Sequence, residues 1–317
     1  MNFSIRHVKE HDLDLVVLRD ETGGAEAAIL PAWGAILHGF SIRTEDGLFN
    51  IIENYSSLND LKKNLDRSYK SSKLSPFPCR IREGKYLWKG KDFEFRNKFV
   101  DGSAIHGLLF NKSFAVVNEF ADRARASATL KYTYQHEDFG YPHDYDCEVI
   151  YSLFPSQVLQ LQTRLTNLGE DDFPIADGWH PYFKLDGTVD DWVMHIDAEA
   201  MVEFDEQLVP TGRFLPFTQF DPPAKIGKTQ MDNCFKLKHS DGLPAAELFN
   251  PINKLKISFY PEINYPFLQV YIPPARKSIA IENLSAAPDS FNNHMGLTVL
   301  KPGASETYAL QYKLSVV

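Results

Sequence analysis

The chain has 317 residues, 44% hydrophobic and 24% charged, which is an ordinary globular composition with enough apolar material for a sizeable core. Its net charge of −9 disfavours nucleic acid and anionic membranes as partners. The most apolar window, residues 25–40, is interrupted by Pro31, Gly34 and Gly39, so it predicts strands and turns and not a membrane span.

Features of the whole chain predict its compartment and its domain organisation. The first ten residues are charged and lack the apolar core of a signal peptide. Three cysteines, Cys79, Cys147 and Cys234, are odd in number and far apart, which favours a reducing compartment over a disulfide scaffold. We therefore expect a cytoplasmic protein. No repeat or Pro/Gly/Ser-rich linker divides the sequence, so we predict a single domain over residues 1–317.

Strand patterns dominate the chain. From Leu159 to Leu165 the apolar side chains fall on odd positions and the polar ones on even positions, which predicts a strand with one buried face. Further runs rich in β-branched and aromatic residues follow the same pattern, at residues 113–120, 125–134, 147–154, 255–260, 267–272 and 307–314.

Only one segment has a convincing helical pattern. Residues 56–65 combine a serine suited to capping with Leu58, Leu61 and Leu65 on one face, which predicts one short helix. Many short strands without interleaved helices favour an all-β fold, a large antiparallel β-sandwich with at most one or two short helices.

Two segments in the first half carry candidate binding residues. Arg80 follows a Pro-Phe-Pro segment and has the rigid fork of donors that suits sugar oxygens, although the sequence alone slightly favours a structural ion pair. His106 precedes Gly107 in an apolar stretch, and such a glycine is typical of a bulge or of close approach to the backbone. The alternative for His106 is a histidine packed in the core.

A cluster of metal-ligand types lies at residues 136–146, with His136 and His143 among acidic side chains. Its spacing matches no closed zinc site, and its glycine and proline indicate a surface turn. We therefore predict no metal site there.

The segment at residues 177–185 places a histidine among aromatic side chains. Pro181 pushes the backbone of His180 away from the helical region, so the imidazole lies on an extended segment. Trp179, Tyr182 and Phe183 flank it, and aromatic faces beside a titratable group suit a sugar ring. The alternative is a structural histidine at the edge of a strand.

Three acidic residues follow in the second half. Asp232 precedes a strand-like segment, and an Asx turn is the alternative explanation for it. Glu282 ends an apolar strand, where burial is expected to raise the carboxyl pKa and make a usable base near neutral pH. Asp289 follows Pro288 in a turn and is typical of a cap or loop stabiliser.

Taken in order, these motifs resemble the aldose 1-epimerase (galactose mutarotase) family. The resemblance covers about residues 76–292 and depends on five segments, which are Pro-Phe-Pro-x-Arg80-Ile, Ile-His106-Gly, Trp-His180-Pro-Tyr-Phe, Asp232-Asn-Cys-Phe, and Glu282 with Pro288-Asp289 and Asn292. It implies a single large β-sandwich with a sugar cleft, no metal and no cofactor, and a small-molecule sugar as partner. The chain is expected to be a monomer or a homodimer.

The resemblance also implies roles for individual residues. Glu282 is the expected base that takes the proton from the anomeric hydroxyl, and His180 is the expected acid that protonates the ring oxygen. The expected sugar-binding residues are His106, Arg80 and Asp232, with the aromatic rings of Trp179 and Tyr182 beside them. Modestly raised pKa values for both Glu282 and His180 would keep an ionised pair near neutral pH.

The sequence departs from the family pattern at Cys79, Ser103 and Leu108, and we expect these departures to alter the rim of the cleft. Two alternatives remain open. One is a mutarotase for a hexose 6-phosphate, which would need a basic pocket, with Arg80, Arg82 and Lys85 as the candidates. The other is a non-catalytic carbohydrate-binding protein on the same fold.

Overall fold

Strands form most of the computed structural model, which describes residues 2–45 and 47–317. The strands are β1 (Phe3–Glu10), β2 (Leu13–Asp20), β3 (Ala25–Leu30), β4 (Ile36–Thr44), β5 (Gly47–Asn50), β6 (Lys73–Leu74), β7 (Arg80–Ile81), β8 (Lys85–Trp88), β9 (Lys91–Glu94), β10 (Ala104–Ile105), β11 (Ala115–Ala121), β12 (Ala126–Gln135), β13 (Asp144–Phe154), β14 (Val158–Asn167), β15 (Phe173–Ile175), β16 (Gly178–Trp179), β17 (Tyr182–Phe183), β18 (Val193–Ile196), β19 (Ala198–Phe204), β20 (Pro210–Leu215), β21 (Ala224–Lys225), β22 (Asp232–Leu237), β23 (Ala246–Phe249), β24 (Leu255–Pro261), β25 (Phe267–Tyr271), β26 (Ile279–Leu284), β27 (Thr298–Leu300) and β28 (Ser305–Val316).

Two α-helices are short, α1 (Leu58–Ser68) and α2 (Ser290–Asn293), and 3-10 turns occupy Arg82–Gly84 and Val189–Asp191. The predicted helix is confirmed as α1. The Ser57 hydroxyl caps it by accepting the Asp60 N–H, and Leu61 and Leu65 are buried. It continues to Ser68, where Tyr69 ends it with a left-handed backbone. Neither α-helix in the described ranges has the length and hydrophobicity that crossing a bilayer requires.

Two large antiparallel sheets form the body of the molecule. The first has nine strands in the order β11-β12-β13-β14-β28-β24-β23-β18-β21. The second has eight strands, seven of them in the order β20-β19-β22-β25-β26-β16-β6, and β17 also pairs with β26. A five-stranded sheet, β1 to β5 in sequence order, precedes them.

Aromatic side chains join these sheets face to face. Phe183 on β17 packs against Phe259 and Tyr312 of the nine-stranded sheet, with ring centroids 4.9 and 5.4 Å apart. The five-stranded sheet is tied to the same layer, because the Tyr151 hydroxyl donates to the Ala35 carbonyl at 2.8 Å. The predicted all-β sandwich with two short helices is confirmed.

The predicted alternation of apolar and polar residues along the strands determines which side chains enter the core. On β14, Leu159, Leu161 and Leu165 are buried while Arg164 is exposed. β11 differs, since it is the edge of the nine-stranded sheet and is almost wholly exposed. Buried residues from all three large sheets belong to one hydrophobic cluster. That continuity supports the single-domain organisation, which stays a prediction.

Candidate active site

A cavity of about 230 Å³ opens on the eight-stranded sheet. Strands β22, β25 and β26 line it, together with residues from β7, β17, the loops around them and the end of α1. It brings together six of the residues predicted from sequence, namely Arg80, His106, His180, Tyr182, Asp232 and Glu282.

Glu282 lies at the floor of this cavity. It belongs to the middle of β26, where its backbone pairs with Gln269 on β25, and its side chain is only 2% exposed. Oε2 has no hydrogen-bond partner among the described residues. The prediction that Glu282 ends its strand is wrong, because β26 continues to Leu284. The predicted direction of its pKa is confirmed: burial raises it well above the usual range, and the nearby Asp232 carboxylate raises it further.

His180 lies on the extended link between β16 and β17. Both backbone groups of His180 are bonded to residues 71–72, since His180 N–H donates to Ser72 O and Ser71 N–H donates to His180 O. The ring stacks on Tyr182 with centroids 5.0 Å apart. These contacts direct the imidazole toward the Glu282 carboxyl, and His180 Nε2 lies 3.4 Å from Glu282 Oε1.

Burial changes the protonation of His180 in the direction opposite to our expectation. Desolvation of the ring lowers the pKa of His180 to about 4, where a modest rise was expected. A buried imidazole is favoured in its neutral form, and a buried carboxyl is favoured as the acid. Burial therefore favours a protonated Glu282 carboxyl beside a neutral His180 imidazole.

His106 forms the wall beside this pair. Its ring lies 4.8 Å from the His180 ring and 4.6 Å from the Tyr69 ring, and burial lowers its pKa well below the usual range. The adjacent Gly107 has φ +73, and a Cβ there would lie 2.3 Å from the Ser75 carbonyl oxygen. The close approach predicted at Gly107 thus exists, but it is to the protein's own backbone and not to the ligand cavity.

Two further predicted residues form the polar wall. Arg80 is paired with Asp101 at 2.5 Å, and its side chain is still 17% exposed. Asp232, the first residue of β22, accepts a hydrogen bond from Gln269 Nε2 at 2.7 Å. Burial raises the pKa of Asp232 although the Arg80 charge opposes that rise. Donor and acceptor groups therefore face the same cavity, as recognition of sugar hydroxyls requires.

Trp179 corrects one expectation. Its ring does not line the cavity but is buried in the core, 1% exposed, with Tyr151 against it and the Lys73 ammonium 4.3 Å from its centroid. Adjacent residues on a strand point to opposite faces, so the segment that directs His180 to the cavity directs Trp179 to the core. Of the departures from the family pattern, Cys79 lines the cavity, while Ser103 and Leu108 are buried elsewhere.

The sequence did not lead us to predict several residues that line the cavity. Gln269 is the only strongly polar side chain in the apolar run of β25, and that interruption was the available signal. Arg67 and Tyr69 come from the end of α1, and Tyr271 comes from β25. Their recruitment depends on how distant segments pack, which no local pattern indicates.

Only one set of described side chains is grouped like metal ligands. His106, His180 and Glu282 offer ligand atoms within 4.8 Å of one another. Zinc bonds of about 2.0–2.2 Å would need the ligand atoms roughly 3.4 Å apart in a tetrahedral shell. His180 Nε2 and Glu282 Oε1 meet that spacing at 3.4 Å, while the three ligand atoms together spread over up to 4.8 Å, wider than a closed shell.

The remaining polar motifs stabilise loops. The Asp289 carboxylate accepts the Arg82 N–H at 2.9 Å and the Asn292 side-chain amide at 2.7 Å, which confirms the predicted loop stabiliser. In the cluster at residues 136–146, His136 pairs with Asp144 at 2.7 Å on the surface. That cluster does not form a group of three possible metal ligands among the described residues.

Comparisons with known proteins agree with this architecture. A family model described as Aldose 1-epimerase matches residues 14–313. The uncharacterized protein YihR of Escherichia coli K12 is 29% identical over 240 residues, which cover 73% of this chain and 74% of that protein. The uncharacterized protein YphB of the same organism is 23% identical over 255 residues, covering 76% and 82%.

Solved structures share the fold over nearly the whole chain. A galactose mutarotase-like protein from Clostridium acetobutylicum has a TM-score of 0.88 at 18% identity and covers 100% of this chain and 99% of its own. A galactose 1-epimerase from Lactobacillus acidophilus has a TM-score of 0.81 at 18% identity and covers 99% of each chain.

Proposed function

Because this chain belongs to the aldose 1-epimerase family, we propose that it is a mutarotase, an isomerase that interconverts the α and β anomers of a hexose. One observation carries the proposal: a carboxyl and an imidazole, both nearly inaccessible to solvent, lie 3.4 Å apart at the floor of a cavity with polar walls. Glu282 Oε2 and His180 Nδ1 lack partners within the described part of the chain.

Opening a cyclic hemiacetal needs a base and an acid at the same time. A proton leaves the hydroxyl on C1, the bond between C1 and the ring oxygen breaks, and the ring oxygen gains a proton. Rotation about the C1–C2 bond presents the other face of the aldehyde, and the reverse steps close the ring. A pair that carries one proton in total serves both directions, because each group is left ready for the opposite transfer.

We assign the base to Glu282 and the acid to His180. Sugar hydroxyls that donate to the Glu282 carboxylate would stabilise its charged form and lower its pKa from the raised value that burial gives it. The shared proton then passes to His180 across the 3.4 Å contact. His106, Arg80 and Asp232 are assigned to holding the ring, and Tyr182 supports the His180 imidazole by stacking.

None of the three basic residues predicted for a phosphate pocket supplies an unpaired charge to the cavity, which favours a neutral hexose, although Arg67 also lines the cavity. The basic pocket that a phosphate requires was sought in Arg80, Arg82 and Lys85. Arg80 is paired with Asp101, and Arg82 is paired with Asp205. Arg82 and Lys85 are outside the cavity lining, so neither supplies a charge to a ligand bound there.

Polarimetry of freshly dissolved α-D-glucose and α-D-galactose tests the proposal. Wild type should accelerate the approach to anomeric equilibrium for at least one sugar, and Glu282→Gln and His180→Asn should each lower that rate about 10²- to 10⁴-fold. The same exchanges at exposed positions, Glu170→Gln and His7→Asn, provide matched controls that should retain the wild-type rate.

Other outcomes identify the alternatives. Acceleration confined to glucose 6-phosphate would favour the phosphorylated substrate. Saturable binding of a hexose without acceleration of its mutarotation would favour a non-catalytic carbohydrate-binding protein. Full activity in a folded Glu282→Gln variant would overturn the assignment of the base. The cytoplasmic location and the monomeric or dimeric state stay predictions.

A further inference from the structure

One ion pair at the edge of the cavity joins a lining side chain to a loop outside it. Arg80 Nη1 lies 2.5 Å from Asp101 Oδ2, and Asp101 belongs to the loop between β9 and β10. Arg80 lines the cavity, whereas Asp101 does not. Any effect of Asp101 on a bound ligand therefore has to be transmitted through another residue, and its ion pair with Arg80 supplies that connection.

The backbone brings this loop to Arg80. Strands β7 and β10 pair antiparallel, with Ile105 opposite Arg80. Just before β10, Phe99 N–H donates to Ser103 O at 2.8 Å, which closes a tight turn around Asp101. The pairing of the two strands and the turn together place Asp101 within reach of the Arg80 side chain.

The two oxygens of the Asp101 carboxylate have different partners. Oδ1 accepts the Ser103 N–H at 2.9 Å inside the turn, and Oδ2 accepts a hydrogen bond from Arg80 Nη1. Such an Asx turn holds one oxygen in place, so the other oxygen faces the guanidinium. The protein itself therefore orients the Asp101 carboxylate, without help from a ligand.

The rest of the Arg80 guanidinium is available to a ligand. Nη1 donates to Asp101, while Nη2 and Nε have no hydrogen-bond acceptor among the described residues. A guanidinium is a rigid planar fork, so a contact that holds Nη1 also sets the direction of the other N–H groups. Asp101 thereby determines where those donors meet the hydroxyls of a bound sugar.

A second carboxylate competes for Arg80. Burial raises the pKa of Asp232 and the Arg80 charge opposes that rise, so the two side chains interact electrostatically. Asp232 lines the cavity and is one of the residues assigned to holding the sugar. Without Asp101, Arg80 is expected to turn toward Asp232, because the opposite charges attract. It would then engage the carboxylate oxygens that sugar hydroxyls use.

We propose that Asp101 is a positioning residue for the sugar, which acts by holding Arg80 away from Asp232 and directed into the cavity. The inference rests on the proposed mutarotase function and adds to it a residue outside the cavity. A misdirected donor weakens binding of the ground state and of the transition state alike, so its loss raises KM more than it lowers kcat.

The substitution Asp101→Asn separates the ion pair from the turn. The amide oxygen can still accept the Ser103 N–H, whereas the amide NH2 presents a donor to the Arg80 guanidinium. In polarimetry with D-glucose or D-galactose, whichever reacts faster, this variant should raise KM about tenfold and change kcat less than about threefold. Asp101→Glu restores the charge and should recover most of the loss. The matched control Asp191→Asn removes an exposed carboxylate paired with Lys225 and should leave both constants unchanged.

A double-mutant cycle tests whether Asp101 acts through Arg80. The constant kcat/KM is measured for wild type, Asp101→Asn, Arg80→Ala and the double variant. If the effect passes through Arg80, Asp101→Asn should lower kcat/KM less than about twofold once Arg80 is replaced by alanine. An equal loss in both backgrounds, or a wild-type KM in folded Asp101→Asn, would overturn the proposal.

Binding measurements separate this inference from the proposed function. Isothermal titration calorimetry with the same two sugars measures Kd without turnover. If wild type binds a hexose but accelerates neither sugar, the mutarotase assignment fails, and a Kd about tenfold weaker for Asp101→Asn would still support the positioning role. Equal Kd values for the two proteins would reject that role, as would the absence of hexose binding by wild type.

Discussion

Two pairs of titratable groups are buried in this protein, and they differ in how closely their polar atoms are paired. Lys73 and Asp177 are each 0% exposed, with Nζ and Oδ1 2.5 Å apart. Asp177 also accepts a hydrogen bond from the Tyr265 hydroxyl at 2.6 Å, and Lys73 donates to the Gly178 carbonyl at 3.1 Å. The His180 and Glu282 pair is almost as buried, but it is 3.4 Å apart and retains unpartnered polar atoms within the described ranges.

The difference separates a pair that stabilises the fold from the pair that we propose as the acid and base. Lys73 lies on β6 and Asp177 precedes β16, so their contact ties β6 to the strand that leads into the His180 link. The Asp177 backbone N–H also donates to the Ser285 hydroxyl, just past the strand that carries Glu282. The Lys73–Asp177 pair thus fixes the backbone that carries His180 and Glu282. The His180–Glu282 pair keeps unpartnered polar atoms that can exchange protons.

The largest effect on stability is expected from breaking the Lys73–Asp177 pair. Lys73→Met should lower the free energy of unfolding by about 3–5 kcal/mol, because it leaves the Asp177 charge buried without its cation. Urea denaturation measures the change. The double variant Lys73→Met/Asp177→Asn should recover a large part of the loss, and a single-variant loss below about 1 kcal/mol would contradict a structural role.

Replacing Glu282 by glutamine should raise the free energy of unfolding, in contrast to Lys73→Met. Because burial raises the pKa of Glu282, the native state binds that proton more tightly than the unfolded state does, and wild-type stability falls as pH rises through the folded pKa. Glu282→Gln has no such proton to lose. At pH 9 we expect it to be about 1–3 kcal/mol more stable than wild type, with a smaller gain at pH 5.

Urea denaturation of wild type and Glu282→Gln at both pH values measures this gain. Glu170→Gln serves as the exposed control and should show no comparable gain at either pH. A Glu282→Gln variant less stable than wild type at pH 9 would mean that the Glu282 carboxylate has partners in the native protein.

The pH dependence of catalysis should report the same pair. Below about pH 4, His180 gains a proton while Glu282 keeps its own, so neither group can accept one from the C1 hydroxyl. At high pH Glu282 loses the shared proton, and none remains for the ring oxygen. A bell-shaped profile of kcat/KM is therefore expected, falling about tenfold per pH unit below its acidic limit.

Polarimetric rates from pH 3 to pH 10, corrected for the spontaneous reaction, measure that profile. An acidic limb with its midpoint near 6.5, the ordinary value for histidine, would contradict the effect of burial on His180. The two macroscopic values belong to the pair and not to either residue alone.

The smallest effect is expected from an exposed ion pair. Lys225 and Asp191 are 3.0 Å apart with side chains 62% and 45% exposed. Lys225→Ala should change the free energy of unfolding by less than about 1 kcal/mol, because water and salt screen such pairs. Urea denaturation beside Lys73→Met makes the comparison direct, and a loss of several kcal/mol would show that exposure does not separate the two kinds of ion pair.

The sequence was informative wherever a local rule decides the structure. Period-two alternation identified β14 and β28, the capping serine and spaced leucines identified α1, and Pro181 indicated the extended backbone at His180. The raised pKa of Glu282 also followed, because an ionisable residue in an apolar strand is expected to be buried. These features depend on a few neighbouring residues.

What the sequence did not reveal depends on packing between distant segments. The lowered pKa of His180 reflects how completely the fold covers it, which no local pattern indicates. Gln269 reaches the cavity because β25 pairs with β26, and Arg67 reaches it because α1 ends at the cleft. Trp179 was assigned to the wrong side because the alternation of faces along an extended segment, which directs it to the core when His180 faces the cavity, was not applied to it.

The position of β28 has a consequence for synthesis. This strand follows every other strand in the chain, yet it lies inside the nine-stranded sheet, between β14 and β24. Until it leaves the ribosome, β14 and β24 each present an unpaired inner edge, and such edges invite pairing with other chains. The nascent protein therefore carries two unpaired strand edges in this sheet until β28 has been translated.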